Sequence, residues 1–180
     1  LGIRHIEGIL KWEAHAKARY IAKRIEEEQT TGKSINQSIQ EIQTKVGDRS
    51  DVIKKQYMSY MVLEQAKREL EIDFKEIKNR FSLIGELLNK HSIRNFIGVS
   101  SYKEVDFSND LISPTKLQNL EILLTWVFGN GKDKQPIITD SRKINSHLAP
   151  ILSDKEATEY LLKNNSLEEA YERSGGDREF

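Results

Sequence analysis

The placement of proline constrains what this chain can fold into more than any other feature. The sequence has 180 residues and only three prolines, at 114, 136 and 150. Over the first 113 residues, then, no ring removes a backbone donor or clashes with a preceding carbonyl. Long helices are permitted there, and apolar spacing predicts them. Ala14, Ala18, Ile21, Ala22 and Ile25 recur at three- and four-residue steps, which predicts a helix over Trp12 to Glu28, ended by the stretch around Gly32. Ser34 is placed to cap a short helix carrying Ile35, Ile39 and Ile42, and Gly47 should break it. A longer helix is expected from near Ser50 to about Leu70, with Ile53, Tyr57, Tyr60 and Met61 on one face. Asp73 should cap a helix over Phe74 to Phe81. Short helices are expected around Leu83, Leu87 and Leu88 and over Ile93 to Ile97, stopped by Gly98.

Residues 98–112 carry no clear period and read as a linker. Ser113-Pro114 then opens a helix with proline in its first turn, running through Leu117, Leu120, Leu123, Leu124 and Val127. A polar loop follows at 129–136, with Ile137-Ile138 as a short extended piece. Helices over Ser141 to Leu152, Asp154 to Lys163 and Leu167 to Arg173 complete the chain. The expected fold is all-α: a helical domain over 1–98 containing a helix-turn-helix, and a smaller C-terminal helical unit over 113–180.

The composition removes several function classes. There is no cysteine, which excludes disulfides and thiolate metal sites and fits a reducing, cytoplasmic setting. The most apolar stretch, Leu120 to Phe128, is interrupted by Glu121 and falls short of the about 20 residues a membrane span needs. No membrane partner is expected. None of the histidines, at 5, 15, 91 and 147, has a ligand partner at metal-binding spacing. No nucleophile elbow or Gly-rich phosphate loop occurs. We therefore expect no catalytic residue, no metal and no cofactor in this fragment. Trp12 and Trp126 read as core anchors. The chain starts at Leu1 and stops at Phe180, and it reads as a piece of a longer protein.

The segment 34–60 carries the functional signal. A helix-turn-helix needs apolar residues on the facing sides of two helices and a sharp turn between them. Ile39, Ile42 and Val46 supply the first helix, Gly47 the turn, and Ile53 and Tyr57 the second helix. Gln43 and Asp48 depart from the pattern, since a small residue and an apolar residue usually stand there. The polar residues left over should meet DNA. Arg49, Ser50, Lys54 and Lys55 lie at or near the start of the second helix, where donors favour phosphate. Lys45, Arg19 and Lys23 are placed to touch the backbone. The net charge is zero, but residues 1–63 hold 11 Lys/Arg against 8 Asp/Glu, while residues 153–180 hold 4 against 8. The basic excess thus falls on the half with the motif.

Flanking residues add a resemblance. Arg4-His5-Ile6, Gly8, Trp12 and Lys17-Ala18-Arg19-Tyr20-Ile21 precede the motif. Asp51-Val52, Tyr57, Tyr60, Gln65-Ala66, Phe81-Ser82 and Ile93-Arg94-Asn95-Phe96-Ile97-Gly98 follow its turn. Together they resemble the region after the nucleotide-binding domain of ParB-family proteins. Leu123 to Gly129, Asp140-Ser141-Arg142 and Leu167 to Gly176 resemble an extension in bacterial ParB-like proteins. The resemblance implies recognition of double-stranded DNA by a homodimer, in chromosome partition, transcription regulation or defence. It also implies an upstream nucleoside-triphosphate domain outside these residues. The alternative is a protein-interaction module with a structural helix-turn-helix, which would show a large apolar patch over 113–180.

Overall fold

A computed structural model of the chain describes residues 13–176. Ten α-helices and no strand occur among them, so the fold is all-α. Arg4, His5, Ile6, Gly8 and Trp12 of the motifs above lie outside the described residues, as do residues 177–180.

The first three helices form a unit around a small apolar core. Helix α1 (Ala14–Gln29) buries Ile21, Ala22 and Ile25. Helix α2 (Ile35–Val46) starts where Ser34 accepts a hydrogen bond from the Gln37 N–H and the Gln37 side chain accepts one from the Ser34 N–H. This reciprocal cap satisfies two donors that the first turn would otherwise leave unpaired. Helix α3 (Ser50–Glu69) is the longest. Ile39, Ile42, Val46, Ile53 and Tyr57 close the core against α1.

The same α3 then enters a second, larger core. Met58, Val62, Leu63 and Ala66 are buried beside residues from as far as Ala170. The helices that follow are short: α4 (Phe74–Asn79), α5 (Ser82–Leu88) and α6 (His91–Ile97). Asp73 caps α4 by accepting from the Lys75 N–H, and Gly98 ends α6 in the left-handed region. A 3₁₀ turn at Pro114–Lys116 leads into α7 (Leu117–Phe128). Trp126 is buried there, stacked on Phe96, and its indole N–H donates to Asn165. Ile137 and Ile138 form no strand; both their N–H groups donate to the Trp126 carbonyl.

The segment after Asp140 contains a π-helical turn, Ile144–Leu148, that runs into α8 (Ala149–Ser153). Pro150 is the second residue of α8, just past that turn. The proline ring would strike the carbonyl four residues back in a regular helix, and the widened turn relieves that clash. Helices α9 (Lys155–Asn164) and α10 (Leu167–Arg173) close the fold. Asp154 caps α9, and Asn165 ends it with a left-handed backbone.

The aperiodic stretch 98–112, expected as a linker, begins with the Gly98 cap of α6 and continues as residues 99–112. They form turns rather than a helix, but the segment is docked. Val99, Leu111 and Ile112 are buried, and Phe107 packs on Tyr57 with ring centroids 4.9 Å apart. The buried Gln65 side chain accepts from the Ile112 N–H at 2.9 Å and donates to the Ile112 carbonyl at 2.6 Å. One side chain thus replaces a missing secondary-structure partner on both backbone groups. Gln65→Leu should leave both buried groups unpaired and lower the unfolding free energy by about 2–4 kcal/mol. Urea denaturation measures this, and a loss below about 0.5 kcal/mol would show that the docking of 99–112 does not depend on Gln65.

Candidate nucleic-acid interface

The turn between α2 and α3 is built on Gly47, whose φ is 81° and whose N–H closes α2 on the Gln43 carbonyl. A side chain there would meet no atom within 4 Å, so the demand for glycine comes from the backbone alone. The two departures from the motif have local explanations. Gln43 is exposed, so it does not separate the helices. Asp48 faces Lys17 of α1 at 2.6 Å, an ion pair that ties the turn back to the first helix.

The residues expected to touch DNA are not gathered into one patch. Arg49 is the residue before α3 and is exposed, but its guanidinium grips both carboxylate oxygens of Asp51, at 3.1 and 2.9 Å. This pairing holds the Asp51 carboxyl below its ordinary range. Arg49 therefore reaches a phosphate or a base only by releasing Asp51. Ser50 is exposed at the first position of α3, and Lys54 is half-buried one turn on, without an ion-pair partner among the described residues. Lys45, in the last turn of α2, and Lys23, on α1, are exposed.

Lys55 turns away from this group. Its ammonium lies over the Tyr102 ring, 5.1 Å from the centroid. It lines a pocket of about 300 Å³ with Arg94, Tyr102 and Lys103, and among the described residues no carboxylate lines that pocket. Arg94 is fixed by donating to the Leu88 carbonyl. Sequence reasoning missed Arg94, Tyr102 and Lys103 as neighbours of the motif. The adjacent aromatic and cation at 102–103 were the available signal, inside a stretch read only as a linker. Arg19 stands elsewhere again, in a pocket with Lys67, Lys75 and Lys78.

Other polar clusters have structural partners. Ser146, His147 and Glu168 are linked in a row, with Ser146 Oγ 2.7 Å from His147 Nδ1 and Glu168 3.2 Å from Nε2. Lys143 takes the other Glu168 oxygen, and Ser146 also donates to the Arg142 carbonyl. The row joins α10 to the π-helical turn. Among the described residues no group of three His, Asp or Glu side chains could hold a metal ion, and no helix is long and apolar enough to cross a membrane.

Comparison with protein-family models, curated protein sequences and solved structures returned no match for this chain.

Replacing Gly47 with alanine should strain the turn without a steric clash. The expected loss is about 1 kcal/mol of stability, read as a lower midpoint in urea with an unchanged slope. An unchanged midpoint would contradict a left-handed turn at this position.

Proposed function

We propose that this chain binds double-stranded DNA through α2 and α3, as its resemblance to the ParB family implies, and that it acts as a homodimer in partition or transcription regulation. The observation that carries this reading is the start of α3. It belongs to a closed three-helix core, leaves Ser50 exposed and Lys54 without an ion-pair partner among the described residues, and has the nearby acids Asp48 and Asp51 already paired with Lys17 and Arg49. A helix start with its acids compensated can approach phosphate without local repulsion. Lys55, Arg94 and Lys103 add a second cationic edge beside the same helix.

A scaffolding role would call for a broad apolar surface. Leu162 is the sole large hydrophobic residue that is exposed among the described residues, so no observation favours that reading.

The reading makes binding electrostatic and local. Affinity for duplex DNA should fall steeply as salt rises. Lys54→Glu should weaken binding about tenfold at low salt, whereas Lys163→Glu on α9 should leave it unchanged. Fluorescence anisotropy with a labelled duplex measures both. No binding by the folded chain at low salt, or equal losses in the two variants, would overturn the reading.

A further inference from the structure

Arg19 on α1, Lys67 on α3, and Lys75 and Lys78 on α4 converge on one pocket of about 480 Å³. None of the four has an ion-pair partner among the described residues, although nine other lysines and arginines do. Glu64 is the single carboxylate in the lining among the described residues. In a chain of zero net charge, four cations without an ion-pair partner thus face one acid at a single concavity among the described residues. The cost of holding like charges together falls when an anion sits among them.

Aromatic and aliphatic side chains stand between the charges. Tyr60, Leu63 and Phe74 line the pocket with His15. His15 is held edge-on against Phe81, with centroids 5.4 Å apart, and tilted against Tyr60. Its pKa lies below the ordinary histidine value, first through burial and then through Lys78; Arg19 and Lys67 push the same way, while Glu64 opposes them. The imidazole therefore registers the positive potential of the pocket.

We propose that this pocket is an anion site for a phosphate-bearing ligand, either a free nucleoside polyphosphate or the phosphodiester backbone of a nucleic acid. Several donors from three helices suit a group that offers several oxygens and more than one charge. The volume lies in the usual small-ligand range of roughly 300–1,000 Å³, and the ring faces can take a base. The site stands apart from the proposed DNA-reading surface. Lys67 lies twelve residues beyond Lys55 on α3, which places it about 18 Å along the helix and about 120° around it.

Inorganic tripolyphosphate is the first probe, titrated into the full chain at low salt and followed by calorimetry and by the His15 imidazole signals in NMR. Binding should raise the His15 titration midpoint toward its ordinary value. Lys75→Glu with Lys78→Glu should weaken binding about tenfold. Both side chains are exposed, and thermal melting checks the fold. Should that pair unfold, Arg19→Gln and Lys67→Gln test the same site from α1 and α3. If the double variant also weakens duplex binding, the phosphate comes from a nucleic-acid backbone. If duplex binding is unchanged while tripolyphosphate binding is lost, the ligand is a free polyphosphate. No tripolyphosphate binding by the folded chain, or binding untouched by these substitutions, would overturn the proposal. Neither result depends on Lys54, whose variant tests the reading of α3 separately.

Discussion

Helix α3 buries Ile53 and Tyr57 against α1 and α2, and from the next residue onward it buries Met58, Val62 and Ala66 in a second core made by the later helices together with Ala18 of α1. This change of buried face within one unbroken helix is what the rest of the structure depends on. It is possible only because nothing between Ser50 and Glu69 interrupts the backbone ladder. A rigid rod of about 30 Å, at 1.5 Å per residue, then fixes the small core relative to the large one. Gln65, near the end of that rod, fixes the segment 99–112 by holding both backbone groups of Ile112. That segment in turn lays Phe107 on Tyr57 and Tyr102 beside Lys55, next to the start of the same helix. The surroundings of the candidate DNA-reading helix are therefore set from its far end.

Charge follows the same economy. The acids nearest the turn are taken up locally, Asp48 by Lys17 and Asp51 by Arg49. Ion pairs at the protein surface contribute little to stability, typically about 0–1 kcal/mol. Their effect is on the field: they cancel the charges that would repel phosphate at the start of α3. Several of the cations without an ion-pair partner gather in two places, around Lys55 and around Lys67. Overall neutrality thus says little about the local potential.

Much of the fold was legible because its signals are local. Ser34 before an apolar period, Gly47 after Val46, Asp73 before Phe74 and Gly98 after Ile97 each act within a few residues, and each stands at the boundary where its chemistry placed it. The span Leu167–Arg173 was set by its own pattern in the same way. What could not be read depends on distant partners. The Gln65–Ile112 lock joins residues 47 apart in sequence, and no periodicity marks it. Lys55 resembles its neighbour Lys54 in sequence, and the docked Tyr102 gives it different surroundings. Arg19 was grouped with the motif because it lies near it in the chain, whereas packing groups it with Lys67, Lys75 and Lys78 from α3 and α4. The helix expected over Ser141 to Leu152 does run through Pro150, but no spacing in the sequence marks the π-helical turn that accommodates the proline.

The central claim is that the start of α3 meets duplex DNA. Amide chemical-shift mapping of the isotope-labelled chain on adding a short duplex tests it most directly. The account predicts that the largest changes fall on Gly47 to Lys55, with smaller ones at Lys45 and Lys103. Changes confined to α7 through α10, or none within α3 while the duplex is bound, would contradict it.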